Sequence, residues 1–309
     1  MRKLINQLRS RDIILLYHRI ARVDSDPWSL CVTPEHFSEH LEVIRRHRPI
    51  RLDEVSPAVW RLGRSQTSVA ITFDDGYADN LYEAKRLLER YGMPATFFLA
   101  TGYMGEGREF WWDELEKVIM QPGGLPEILR YSIEGQTHSW NVGDQEPRLP
   151  LYLSLYEKLK PLADGARRDV MGQLLEWGGQ SPGRRESHRS LSQEEVCDLA
   201  RGGLVEIGAH TVTHPVLATQ PLQAQHEELR QSKACLEELL GWPVTSFSYP
   251  YGGSGHYSWE TVQAVREQGF FRACTTSAHS VKKSDGEYEL PRFNVTDMDG
   301  DEFEQILFS

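Results

Sequence analysis

A chain of 309 residues, 39% hydrophobic and 26% charged, has material for one large α/β domain or two small ones and for a full core. Its formal net charge of -11 argues against a nucleic-acid partner or an anionic membrane surface, both of which require a basic face. The four cysteines, Cys31, Cys197, Cys235 and Cys274, form no CxxC pair, so neither a disulfide framework nor a thiolate zinc site is expected. Arg2 and Lys3 precede an apolar run, Ile13 to Leu16, that is too short for a signal h-region or a membrane span. The expected location is therefore the cytoplasm, with no integral membrane segment.

Ile13 to Tyr17 reads as a buried strand that ends at His18. Thr33-Pro34-Glu35 supplies an N-cap and a proline at the first helical position, ahead of Phe37, Leu41 and Ile44 on one face. After a short piece around Ile50 to Leu52, Val69 to Phe73 forms a strand that stops at Asp74-Asp75-Gly76. Leu81, Ala84, Leu87, Leu88 and Tyr91 then mark a helix ending at Gly92, and Ala95 to Leu99 is the next strand.

From roughly 105 to 190 this rhythm breaks. The stretch opens on Phe110-Trp111-Trp112-Asp113 and carries two expected helices, one with Leu151, Leu155 and Leu159 and one with Val170 and Leu174. Without a strand pattern of its own, it reads as a mainly helical insertion on one face of a single domain spanning 1–309. Trp112 is a candidate for shaping a ligand groove, against the alternative that its ring only packs.

Ser192 to Glu195 is a capping box that leads into Val196 and Leu199. The strand Leu204 to Ala209 ends at His210-Thr211-Val212-Thr213-His214-Pro215. A long helix follows, with Leu222, Leu229, Leu236 and Leu240 towards the core, and then a strand from Val244 to Tyr249 runs into Pro250-Tyr251-Gly252. Another helix, the strand Phe270 to Thr275, a short extended piece at Leu290-Pro291-Arg292-Phe293 and a terminal helix complete the order. About seven strands alternating with helices imply a parallel sheet, open or closed. A barrel is favoured because His18, Asp74, Asp75, His210 and Tyr251 all sit just past strand ends, where barrel active sites assemble.

Two adjacent buried carboxylates repel each other unless a cation or a shared proton is near. His210 and His214 have the spacing of a two-histidine ligand pair, and Asp75 or Asp74 would complete a set suited to a divalent ion of zinc type with one position left for water. Pro215 disfavours helix at His214, so a tight turn is expected there.

Thr72-Phe73-Asp74-Asp75-Gly76, His210-Thr211-Val212-Thr213-His214 and Phe247-Ser248-Tyr249-Pro250-Tyr251-Gly252 resemble, in order, the first three motifs of the polysaccharide deacetylases, the NodB-homology or family 4 carbohydrate esterases. Leu15 to Ile20 and Leu290-Pro291-Arg292 are similar to the exopolysaccharide branch. The resemblance covers nearly the whole chain apart from the insertion and implies a distorted (β/α)7 TIM-like barrel. It makes Asp75, His210 and His214 the ligands of one divalent metal ion, zinc first, with cobalt, manganese, nickel or iron as alternatives. It makes Asp74 the general base and the Tyr251 backbone N–H, beside Pro250, the oxyanion donor. The late Leu-x-His motif that supplies the acid in many members is missing, and His18 fits the early position used instead in the exopolysaccharide branch. Ser248 stands where many members carry an arginine against the base, and Arg292 could supply that guanidinium from another strand.

The implied function is metal-dependent removal of N-acetyl groups from amino sugars of a polysaccharide or its precursor, a hydrolysis of linear amides. The alternatives are an O-acetyl ester or a non-sugar amide as substrate, or a catalytically silent carbohydrate-binding protein. Phosphoryl transfer is disfavoured because no Gly-rich lysine loop accompanies the carboxylates. The expected partner is an N-acetylated glycan rather than a nucleic acid, and the sequence does not set the oligomeric state.

Overall fold

The structure, a computed structural model, describes residues 11–57, 66–120, 124–142 and 148–308. The apolar runs become parallel strands because both of their faces are covered. These are β1 Asp12–Tyr17, β2 Arg48–Ile50, β3 Ser68–Phe73, β4 Ala95–Leu99, β5 Val205–Ala209, β6 Ser246–Ser248, β7 Arg272–Cys274 and β8 Phe293–Asn294. They form an 8-stranded sheet in the order β7-β6-β5-β4-β3-β1-β8, with β2 added to β3. Every pairing is parallel.

The two ends of that order meet. Leu290, just ahead of β8, bridges Cys274 of β7, its N–H donating to the Ala273 carbonyl at 2.9 Å while Thr275 N–H donates to the Leu290 carbonyl at 2.8 Å. Leu290 to Asn294 thereby closes the curled sheet into a distorted (β/α)7 barrel.

Alternation along the strands divides the core in two. Ile13, Leu15 and Tyr17 of β1, Val69, Ile71 and Phe73 of β3 and Phe97 and Leu99 of β4 pack outward against helical residues including Phe37, Leu41, Leu88, Leu229 and Leu236. Full burial of each such side chain contributes ~1.5–3 kcal/mol. The inward positions hold a smaller apolar cluster that includes Ile14, Ala70, Phe98 and Cys274. Above it the inward positions are polar, and those lead to the site. Gly208 makes room for the interior ring of Phe98, since a Cβ there would lie 2.5 Å from it.

The helix starts follow their capping chemistry. Thr33 Oγ1 accepts from His36 N–H at the head of helix Pro34–Arg45, and Ser192 and Glu195 form the capping box of helix Gln193–Ala200. Helix Lys85–Tyr91 is entered through a π-helical turn, Asn80–Ala84, and stops at Gly92 with φ 64°. In helix Leu222–Leu240 the buried face holds Leu229, Leu236 and Leu240, whereas Leu222, expected on it, is exposed in the first turn. No described helix is long and apolar enough to cross a membrane. All four cysteines are free thiols, Cys31 and Cys274 buried and Cys197 and Cys235 half-buried.

The chain divides into two compact units, 1–104 with 191–309, and 105–190. The second unit contains the helices Trp111–Ile119, Arg148–Leu159 and Asp164–Trp177. It also contains an antiparallel hairpin, Ile128–Ile133 with Gln136–Asn141, that the sequence reading did not anticipate. Its turn residues Glu134 and Gly135 have φ 48° and 82°, a primed-turn geometry more often announced by Asn-Gly or Asp-Gly. Its second strand is mostly polar, so alternation was weak.

Candidate metal centre and neighbouring carboxylate

Asp74 leaves the end of β3 with its N–H on the Tyr17 carbonyl at 3.0 Å. Asp75 (φ 74°) and Gly76 (φ 91°) then turn the chain left-handed, which separates the two neighbouring carboxylates. A Cβ on Gly76 would come within 2.8 Å of Leu99, so glycine is needed both for conformation and for space. Among the described residues six non-glycines have positive φ, and four of them, Asp75, Thr211, His214 and Tyr251, belong to this site. Strain gathered in this way marks a functional constellation rather than loose loops.

Asp75, His210 and His214 offer three ligand atoms that all lie within 4.8 Å of one another, and all three residues are buried. His210 Nε2 is 3.6 Å and His214 Nε2 3.4 Å from Asp75 Oδ1. His210 Nδ1 lies 2.7 Å from the Ser248 carbonyl. A carbonyl only accepts, so Nδ1 carries the hydrogen and Nε2 presents its lone pair towards Asp75. Burial lowers the His210 pKa, against the opposing charge of Asp74, and favours this neutral form. The backbone-oriented imidazole of His210, the imidazole of His214 and one carboxylate oxygen make a donor set that suits a divalent ion of zinc type. As expected from Pro215, the segment from His210 to His214 is not helical.

Asp74 is oriented differently. Arg292 grips it as a two-pronged fork, Nη1 to Oδ1 at 2.8 Å and Nη2 to Oδ2 at 2.7 Å, with both side chains buried. Ser248 Oγ donates to Asp74 Oδ2 at 3.0 Å and itself accepts from Arg292 Nη2 at 2.8 Å. Burial alone would raise the Asp74 pKa, but the Arg292 charge, His210 and the Arg292 hydrogen bonds outweigh it and bring the group down to about 2. The carboxylate is therefore ionised across the neutral range.

His18 follows β1 and is half-buried. Burial lowers its pKa to about 4, with the Asp74 charge opposing and the charges of Arg292 and His210 assisting. The Tyr251 ring stands edge-on to His214 at 4.6 Å, with Pro250 buried beside it. Gly252, at φ 63°, must be glycine because a Cβ would lie 2.8 Å from Thr276 N. Trp112 is buried in the second unit, stacked on Phe110 at 4.7 Å and edge-on to Trp111 at 5.7 Å.

Two contributors went unnoticed in the sequence. Thr72 Oγ1 accepts from Arg292 Nη1 at 3.1 Å, and its place two residues before Asp74 on an inward-facing register was the available signal. Asn80, fully buried, donates from Nδ2 to the His18 carbonyl at 2.9 Å, a bond across 62 residues that no local pattern announces.

A sequence model of the polysaccharide deacetylase family matches residues 62–147 and 178–272. The putative polysaccharide deacetylase YxkH of Bacillus subtilis (strain 168) is 23% identical over 286 residues, covering 92% of this chain and 71% of that protein. In fold, the chain resembles the Streptococcus pyogenes deacetylase PplD solved with acetate, at TM-score 0.62 and 19% identity over 97% of this chain and 100% of that one. It also resembles IcaB from Ammonifex degensii, at TM-score 0.61 and 19% identity over 96% and 95% of the two chains.

Proposed function

This chain belongs to the polysaccharide deacetylase family and is a deacetylase, and from that premise we propose that it is a metal-dependent hydrolase removing N-acetyl groups from amino sugars of a polysaccharide or its precursor. The observation that carries this reading is the pairing of an Asp75-His210-His214 ligand set with a separate carboxylate, Asp74, kept ionised beside it. A divalent ion held by those three residues, zinc first and cobalt, manganese, nickel or iron as alternatives, would acidify a water and polarise the acetyl carbonyl.

The protein groups then divide the proton work. Asp74, held in place by Arg292, takes the proton from the attacking water. The backbone N–H of Tyr251 donates to the carbonyl oxygen as it gains charge. Burial keeps His18 neutral at rest, so the proton it would deliver to the leaving amine is one taken up during the reaction, an uptake that the Asp74 charge favours. Pro250 would border the acetyl group. The glycan is the expected partner, and the segments Leu15 to Ile20 and Leu290-Pro291-Arg292, similar to the exopolysaccharide branch, favour an exopolysaccharide.

Metal analysis with acetate release tests the reading. Acetate should be freed from chitooligosaccharides, and the activity should vanish with a chelator and return with zinc. Release from acetylated xylan alone would reassign the protein to esters, and no release from either in the metal-loaded protein would leave a silent binder. Asp74→Asn should lose turnover by ~100-fold or more with metal still bound. Asp75→Asn should lose the metal itself, and the opposite pattern would exchange the two roles.

A further inference from the structure

The segment between the two metal-site histidines is held in an unfavourable shape. Thr211 and His214 have φ 65° and 53°, a region that L side chains, β-branched ones above all, rarely adopt. Each such residue is strained and persists only where its surroundings over-determine it. Part of that restraint is internal: Thr211 Oγ1 donates to the His210 carbonyl at 2.5 Å and accepts from His214 N–H at 3.1 Å. On one side the barrel contributes, with Thr101 N–H on the Thr211 carbonyl at 3.0 Å and Gly102 N–H on the Val212 carbonyl at 2.8 Å. The approach is close enough that a Cβ on Gly102 would lie 2.6 Å from the Val212 oxygen.

On the other side the turn is tied to a carboxylate. Glu228, on helix Leu222–Leu240, accepts from Val212 N–H at 2.7 Å and Thr213 N–H at 2.9 Å through Oε2, and from Thr213 Oγ1 at 2.6 Å through Oε1. Three hydrogen bonds to one ionised carboxylate are roughly twice as strong as their neutral counterparts. All three fall on the two residues at the centre of the strained turn, between the ligands and not on them.

We propose that Glu228 is a positioning residue that presets the His210–His214 turn, so that its carboxylate governs metal affinity without touching the metal. The inference rests on the reading of Asp75, His210 and His214 as the metal site. Without Glu228 the turn relaxes towards ordinary backbone angles in the metal-free protein. The ion must then restore the strained form on binding, and the apparent affinity falls with the fraction of protein that is competent. A carboxylate that merely tied the helix to the barrel would lower stability with and without metal alike and leave affinity unchanged.

The test is zinc affinity of the metal-stripped full chain, measured by competition with a chromophoric chelator, together with amide exchange at Val212 and Thr213. Glu228→Ala should weaken zinc binding by ~10–100-fold, the range known for outer groups that orient metal ligands. Glu228→Gln, which retains an acceptor for the two N–H groups, should lose less, and both variants should exchange the Val212 and Thr213 amides faster in the metal-free state. Glu227→Gln, one residue earlier on the same helix and bonded to the exposed Arg230 and Gln231, is the control expected to match the unaltered protein. Zinc affinity within twofold of the unaltered protein in Glu228→Ala would overturn the proposal. Should that variant fail to fold, Glu228→Gln and Thr213→Val decide by the same criterion. If Asp75→Asn also keeps its zinc affinity, the metal-site reading itself fails, whatever Glu228 does.

Discussion

Arg292 shows how completely one buried side chain can be specified. A guanidinium has five N–H groups. Here Nε donates to the Thr275 carbonyl at 2.9 Å, Nη1 to Thr72 and Asp74, and Nη2 to Asp74 and Ser248, so each is used. Because the Asp74 pKa is lowered from 3.8 to about 2, the pair stabilises the fold by ~2 kcal/mol above the ordinary aspartate pKa, and that contribution is lost as pH falls from near 3.8 through about 2. Removing the guanidinium leaves burial unopposed. Arg292→Met should therefore raise the Asp74 pKa, move the acid limb of kcat/KM to higher pH and destabilise the protein by ~3–5 kcal/mol, with zinc still bound. A pH-rate profile and a denaturation curve measure both effects; an unmoved acid limb would remove Arg292 from any influence on the base.

The element most dependent on a titratable contact is the C-terminal helix Gly300–Phe308, which docks on helix Pro34–Arg45. Fully buried His40 stacks on Phe303 at 4.1 Å, its Nε2 donating to the Met298 carbonyl at 2.8 Å while Nδ1 faces the Tyr17 hydroxyl at 3.2 Å. Burial lowers the His40 pKa to about 4, against the Met298 hydrogen bond, so the folded protein refuses a proton that the unfolded chain accepts. Stability is accordingly unaffected above the ordinary value of 6.5 and declines as pH falls from there towards 4. Denaturant unfolding between pH 7.5 and 5 should show this slope, and His40→Gln, which cannot titrate, should reduce it to the part that other histidines, His18 and His210 among them, contribute. Phe303→Ala should cost ~3–5 kcal/mol at any pH, because the cavity opens between two packed helices.

For the molecule as a whole, a ligand set drawn from the ends of β3 and β5 means that an ion held there would tie together two strands that β4 separates in the sheet. Zinc at 100 times its Kd should stabilise the fold by ~2.7 kcal/mol and raise Tm by about 4 °C for a chain of this size. Calorimetry with and without a chelator measures it, and Asp75→Asn should abolish the shift. Much of this architecture was legible in advance, since strand runs, caps and the ends at which His18, Asp74, Asp75 and His210 stand arise from local energies. The two-histidine spacing with an acidic pair likewise pointed to a divalent ion before any coordinates. The hairpin of the second unit escaped because its outer strand is polar and its turn uncommon. The sequence by itself determined the order of the barrel's elements, the alternation that divides the core and the candidates for a metal-holding set, because helix and strand periods and side-chain donors are properties of short stretches. Only the tertiary structure decided that Arg292 reaches across 218 residues to Asp74 and that Glu228 holds the histidine turn. Such partnerships follow from ring closure and from the demand that a buried charge or strained backbone find a neighbour, and neither condition exists until the barrel is formed.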